Sequence, residues 1–345
     1  MAVQELTPEL MFDFLYNLPE QFEECLQMEF PWVTSLRGNY RNILVTGLGG
    51  SAIGGDILRS YSLRRLRVPL VVNRDYVLPA FVGPDSLVFA VSYSGNTEET
   101  ISAYAEARSR GARVIVVTTG GKLGEMTAQD GYPVVKVPAG LVPRAASGYL
   151  FAPTALILEG MGLLPGVRAE LEEPVAVLRS RRRNLEPAKP APENEARAIA
   201  AVLKDSIPVI WGSSSTTEIA AMRWKGQINE NAKSPAYFNV FPELNHNEIV
   251  GFEVPEDVLR RTAVVVLRDG NDHERVKKRI EITREIISSR VKSVTEVHSW
   301  GNSFLARLYS LIYVGDYASV YLAMEYGVNP TPVKIIDYLK AKMAE

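Results

Sequence analysis

The stretch "SLVFAVSYSGNTEETISAYAEARSRG", Ser86 to Gly111, decides the fold. It opens on a short, continuous apolar run, Leu87 to Val91. It then passes through a loop of Ser, Gly and Thr and continues as a helical segment. A strand that is apolar on both faces belongs inside a parallel sheet covered by helices on both sides. The same alternation surrounds it, in "NILVTGLGGSAIGGDILRSY" from Asn42, "VPLVVNRDY" from Val68, "RVIVVTTGG" from Arg113 and "YPVVKVP" from Tyr132. These segments predict a doubly wound α/β domain.

Residues 1–38 read as an N-terminal helical segment. In "TPELMFDFLYNLPEQFEECL", Thr7 is the N-cap, Pro8 the first helical residue and Pro19 a break. The first α/β domain is expected over 39–185, closing with the helices "TALILEGMGLLPG" and "VRAELEEPVAVLRSRRRNL". "EPAKPAPENEAR", residues 186–197, is Pro-rich, charged and without apolar period, the composition of a linker. The alternation restarts over 198–345, and the halves match in order. "ILVTGLGGSAIGGDIL" and "IPVIWGSSSTTEIAAM" are each a strand, a Gly/Ser turn and a helix, and "LVFAVSYSGNTEETISAYAEA" is echoed by "AVVVLRDGNDHERVKKRIEI". The expectation is a tandem duplication of one α/β unit.

The chain has 345 residues, 46% of them hydrophobic, enough for two cores. Its 38 Lys and Arg against 40 Asp and Glu provide no basic field for nucleic acid and no polybasic surface for anionic lipid. The single cysteine, Cys25, shares an expected apolar helix face with Phe22, Leu26 and Phe30 and reads as an inert thiol. "MAVQELTPEL" lacks a secretory pattern, and no apolar run is long enough to span a bilayer, so the expected compartment is the cytoplasm.

Several loops carry candidate chemistry. "SYSGNTEET" lies at a strand-to-helix junction, where exposed N–H groups and the helix dipole favour an anion; Ser92, Ser94 and Thr97 add hydroxyls and Gly95 allows close approach. An ordinary helix cap is the alternative there. "TGLGGSAIGGD", with Gly49, Gly50 and Ser51, is a second such turn. Gly47, Gly49 and Ala52 also fit a weak dinucleotide pattern, with Asp75 as the ribose acid, which supports a rival oxidoreductase reading. In "RWKGQINENAKSPAYFNVFPELNHNEIVGF", Glu230 sits near the end of an expected helix as a candidate base. Sixteen residues later His246 stands in a polar loop as a second proton-transfer group. "GLVPRAASGY" offers the guanidinium of Arg144 to an oxyanion or phosphate, a surface ion pair being the alternative. No Cys cluster or H-x-x-x-H spacing is present for a metal.

Taken together, "GLGGSAIGGD", "SYSGNTEET", "PRAASGY", "RWKGQINENAK", "PELNHNEIVG" and "NPTPVKIIDYLK" resemble the bifunctional phosphoglucose/phosphomannose isomerases, which are built from two sugar isomerase (SIS) domains of flavodoxin-like sandwich type. The likeness runs over nearly the whole chain. It implies a homodimer with shared active sites that interconverts hexose 6-phosphates with no cofactor. By position it implies that Ser92, Ser94 and Thr97, beside Gly49, Gly50 and Ser51, hold the phosphate. Glu230 would move the proton between C2 and C1, and His246, supplied by the other subunit, would assist ring opening. Arg144 would steady the enediolate, Thr331 would admit mannose-type substrates, and Lys340 would lie close to the site. A sugar-phosphate sensor without turnover is a third class, which would tolerate the loss of Glu230 and His246.

Overall fold

The computed structural model describes residues 7–343; the expectations for residues 1–6 fall outside them. The first compact unit is Asn17–Arg179 with Gly301–Ala306, and the second is residues 7–16, Ser180–Trp300 and residues 307–343.

The chain opens with α1 (Pro8–Tyr16) and α2 (Leu18–Leu26). Thr7 caps α1, its hydroxyl accepting from the Leu10 N–H at 3.4 Å. The break between the helices falls at Asn17, not at Pro19, which lies in the first turn of α2. Proline is tolerated there because a first-turn N–H has no intrahelical partner to lose.

The first unit then runs β1 (Asn42–Thr46), α3 (Gly49–Ser62), β2 (Leu70–Asn73), β3 (Ser86–Val91), α4 (Glu98–Ser109), β4 (Arg113–Thr118), α5 (Gly121–Asp130), β5 (Val134–Lys136) and α6 (Ser147–Gly160). All strand pairs are parallel, in the order β2-β1-β3-β4-β5. Every residue of β1 and β3 is buried, as a central strand covered on both faces requires. Val72, Val45, Phe89 and Ile115 stand in register across four strands. Leu44, Val88, Val114 and Val116 join Tyr104 and Leu123 in the core on the α4–α5 side. Each such aliphatic side chain removed from water contributes about 1.5–3 kcal/mol.

The helix α7 (Val167–Leu185) follows. The second unit contains α8 (Glu195–Leu203), β6 (Ile207–Ser213), α9 (Glu218–Gln227), β7 (Tyr237–Phe241), α10 (Glu256–Leu259), β8 (Thr262–Arg268), α11 (Glu274–Ile287), β9 (Ser293–His298), α12 (Phe304–Glu325), which begins in the Gly301–Ala306 segment, and α13 (Lys334–Met343). Its sheet is also parallel, in the order β7-β6-β8-β9. Matching β6 to β1, β7 to β2, β8 to β3 and β9 to β4 gives both sheets the same order over four strands, so the internal echo of the sequence is an architectural repeat. Tyr313, Tyr317 and Tyr321 of α12 form a buried aromatic stack that Phe12 of α1 joins.

The Pro-rich stretch 186–197 contains a short 3-10 turn, Ala191–Glu193, and then the buried Asn194, which caps α8 by accepting from the Arg197 N–H at 3.2 Å. Cys25 is buried, and burial pushes its thiol up, away from thiolate chemistry. No helix of the described residues is long and apolar enough to cross a membrane.

Candidate active site

In the first unit the strand order reverses between β1 and β3, and in such sheets ligands bind beyond the carboxyl ends of the strands at this point. Both strands end in turns that the sequence singles out, and the turns are fastened together. The Ser51 hydroxyl accepts from the Tyr93 N–H at 3.2 Å. Gly50 lies so close to the next loop that a Cβ there would stand 2.6 Å from the Pro143 carbonyl oxygen and 3.1 Å from Arg144 Cα. Tyr93 in turn donates its hydroxyl to the Pro138 carbonyl at 2.8 Å and accepts from the Leu141 N–H at 3.0 Å. Burial of that ring raises the phenol above its usual range. Gly49–Ser51, Ser92–Thr97 and Arg144 are thereby brought together.

Neither α3 nor α4 is capped in the usual way. Leu48 has no side-chain oxygen to offer α3, and Thr97 makes no side-chain cap on α4. The Thr97 hydroxyl instead lies 3.0 Å from that of Ser92, which accepts from the Gly95 N–H at 3.1 Å. Ser94 is exposed and accepts from the Asn96 N–H at 3.2 Å. Two helix starts thus present first-turn N–H groups among hydroxyls, an arrangement suited to a phosphate. The ordinary-cap alternative for Thr97 is not what the structure shows.

Gly95 holds φ +70°, and a Cβ there would sit 1.8 Å from the Gly120 carbonyl oxygen, so no other residue fits. The buttress behind it is the turn after β4, where Thr119 and Leu123 donate to Tyr93 and Gly95 carbonyls at 3.0 and 2.8 Å. That support was not singled out from the sequence, although two glycines directly after a strand, Gly120 and Gly121, are its signal. Asp75, the acid of the dinucleotide reading, is exposed and accepts from the Tyr76 N–H at 2.6 Å. Arg144 is buried within the 3-10 turn Pro143–Ala145.

In the second unit α9 stops at Gln227 and the chain widens into one π-helical turn, Ile228–Ala232, that carries the half-buried Glu230. The expectation of a plain helical end is corrected to this extent. Single π turns are rare and concentrate at functional sites. Three side chains hold it: Asn229 donates to the Ser234 carbonyl at 2.8 Å and Asn231 to the Ser319 hydroxyl at 2.9 Å, while Lys233 Nζ bridges the carbonyls of Glu230, at 2.5 Å, and Pro330, at 3.0 Å. Beneath lies a buried pair in which Arg223 Nε and Nη2 meet the two oxygens of Asp316 at 2.9 and 2.7 Å, with Gln227 donating to the same carboxylate at 2.8 Å. Burial pushes the Asp316 carboxyl up, and Arg223 and Gln227 pull against that shift.

The Lys233 bridge brings the segment before Thr331 to the Glu230 turn. Thr331 is buried, its hydroxyl donating to the Thr7 carbonyl at 2.9 Å. His246 is exposed at the end of the 3-10 turn Glu243–His246, beyond β7. Asn245 ties that turn to Thr283 at 2.8 Å, and Glu248 accepts from the Trp211 indole at 2.8 Å and from Asn239. Lys340 is exposed on α13, which buries none of its residues. Among the described residues no group of three or more His, Cys, Asp or Glu is placed to hold a metal ion.

Comparison with known proteins bears on these loops. The SIS domain family matches residues 39–126, and the family described as bacterial phospho-glucose isomerase C-terminal SIS domain matches residues 192–343. A bifunctional phosphoglucose/phosphomannose isomerase of Caldicellulosiruptor bescii is 49% identical over 97% of this chain and 99% of its own. The chain belongs to the bifunctional phosphoglucose/phosphomannose isomerases. Another member of that family, from Aquifex aeolicus, is 40% identical over 95% of this chain and 98% of its own. Among solved structures, the C-terminal domain of glucosamine-fructose-6-phosphate aminotransferase from Francisella tularensis aligns with a TM-score of 0.73 at 14% identity, over 93% of this chain and 98% of its own. That likeness speaks for the fold alone.

Proposed function

We propose that the protein interconverts glucose 6-phosphate and mannose 6-phosphate with fructose 6-phosphate through a cis-enediolate. Full-length kinship with bifunctional phosphoglucose/phosphomannose isomerases is the observation that carries this reading. The two uncapped helix starts at the sheet's switch point support a phosphate seat made of Gly49, Gly50, Ser51, Ser92, Ser94 and Thr97. Phosphate binding there holds the sugar for proton transfer. His246 gives a proton to the ring oxygen as the C1–O5 bond breaks and the O1 proton leaves, which opens the ring to the aldehyde. Glu230 takes the C2 proton; the electron pair moves into the C1–C2 bond and onto O1, and Arg144 stabilises that charge. Return of the proton from Glu230 to C1, with transfer of the O2 proton to O1, completes the ketose. Atoms and electrons balance with no oxidant. The planar enediolate loses the C2 configuration, so a site tolerant at C2 accepts both aldoses. We assign that tolerance to Thr331 and a place near the sugar to Lys340. The exposed position of His246 supports its use by a second copy in a homodimer, and we place the enzyme in the cytoplasm.

The test is turnover of fructose 6-phosphate with glucose 6-phosphate and mannose 6-phosphate read separately, with a chelator present. Both products are expected, and Glu230→Gln should lower kcat about 10²–10⁴-fold, the usual worth of a general base. Binding of fructose 6-phosphate without turnover by the unmodified protein would replace this reading by that of a sugar-phosphate sensor.

A further inference from the structure

Helix α6 has a defective start. Its cap position is Ala146, whose methyl accepts nothing, so the first-turn N–H groups need an acceptor from elsewhere. One comes from a residue more than a hundred positions away. Gln21, on α2, accepts from the Gly148 N–H at 3.1 Å through Oε1, and its Nε2 donates to the Ala145 carbonyl at 2.8 Å. Gln21 is only 3% exposed. Gly148 makes the approach possible: a Cβ there would lie 2.7 Å from Gln21 Cβ and 3.0 Å from Oε1. One helical turn further, Glu24 accepts from the Tyr149 hydroxyl at 2.5 Å, so α2 grips the start of α6 at two places.

The carbonyl that Gln21 holds belongs to the residue directly after Arg144. Gly50 closes on Pro143 and on the Arg144 backbone. The Arg144 backbone is therefore clamped between the phosphate-side turn and a planar amide that needs both its donor and its acceptor. We propose that Gln21 is a positioning residue for Arg144, fixing the turn from which the guanidinium reaches the developing enediolate. A side chain that merely filled the core would not need to be an amide; methionine has nearly the same shape and neither polar group. The assignment rests on the Arg144 role proposed above.

A double-mutant cycle on the full chain tests it. Gln21→Met should lower kcat with fructose 6-phosphate about ten- to a hundredfold, the scale of a small misplacement of a catalytic group, with KM within about twofold. Because Gln21 acts through Arg144, Gln21→Met combined with Arg144→Ala should be no slower than Arg144→Ala alone. Unchanged kcat in Gln21→Met, or losses that multiply in the double variant, would overturn the proposal while leaving the Arg144 role intact. An Arg144→Ala protein with full kcat would overturn both. If Gln21→Met does not fold, Gln21→Glu is read in the same way, since it keeps the acceptor for Gly148 and sets a carboxylate oxygen against the Ala145 carbonyl in place of the donor.

Discussion

The loops after β3 and β8 occupy the same station in their sheets, and they use it in opposite ways. After β3 the chain supplies hydroxyls, Ser92, Ser94 and Thr97, and α4 starts without a side-chain cap. After β8 it supplies carboxylates. Asp269 takes both its oxygens to Arg307 Nε at 3.0 Å and accepts from the Asn271 N–H at 2.7 Å. Asp272 accepts from the Asp269 N–H at 3.1 Å and from the Thr216 hydroxyl at 2.5 Å. The ring of His273 caps α11, its Nδ1 accepting from the Arg275 N–H at 3.1 Å. One loop meets its own N–H groups with neutral hydroxyls; the other meets them with carboxylates and so brings its own negative charge. The difference teaches that a repeated fold keeps the geometry of a site while a few side chains decide whether it is open.

Moving charge between the loops should break the contrast. The largest effect is expected when the first loop is given the chemistry of the second: Ser92→Asp with Ser94→Asp should lower kcat/KM for fructose 6-phosphate at least about a thousandfold, because like charges brought together cost several kcal/mol. Circular dichroism would verify that the fold persists, and retention of wild-type kcat/KM would contradict the phosphate seat. The reverse loss, Asp269→Ala, should leave KM for the sugar within twofold but destabilise the protein by about 3–5 kcal/mol in denaturant unfolding, since it strips a buried arginine of its carboxylate.

A third helix start sharpens the comparison on a smaller scale. Glu173 closes the approach to α12 by accepting from the N–H groups of Asn302 and Ser303, both at 2.7 Å. Burial pushes its carboxyl up, but these N–H donors and the Asn302 amide outweigh that and hold it below the usual carboxylate range. A carboxyl lowered in the folded state contributes stability above its unfolded pKa of about 4.3, and the contribution is lost as pH falls through the folded value. Glu173→Gln should therefore lower Tm at pH 7 and flatten the loss of stability below about pH 4.3, measured by thermal melts across that range.

These contrasts mark what could be read beforehand. The central strands were legible because burial on both faces forces continuous apolar runs, as in "LVFAV" and "AVVVL". Strand β7 escaped notice: it lies at a sheet edge, Tyr237 and Phe238 are exposed, and Asn239 interrupts its apolar residues. The loops that hold Ser92 and Ser51 stood out by composition, whereas their connection through Tyr93, and the hold of Gln21 on Ala145, join residues far apart in the chain and leave no local pattern. The same is true of Asn194, a buried hub inside a stretch that reads as solvated linker; it donates to the carbonyls of Leu185 and Glu186 and to the Tyr321 hydroxyl. The π turn under Glu230 is likewise invisible, since it inserts one residue's worth of slack without changing the composition.

The division of the chain into units has a consequence in time. Helix α1 is made first, yet its partners are the last long helix, where Phe12 meets Tyr317 and Tyr321 and the Leu15 carbonyl accepts from the Tyr313 hydroxyl. At the ribosome's pace of roughly 5–20 residues per second, the nascent chain carries Met11, Phe12 and Leu15 uncovered for about 15–60 s before that helix emerges. The first unit likewise lacks Gly301–Ala306 until late in synthesis, when residues 180–300 of the second unit have already been made.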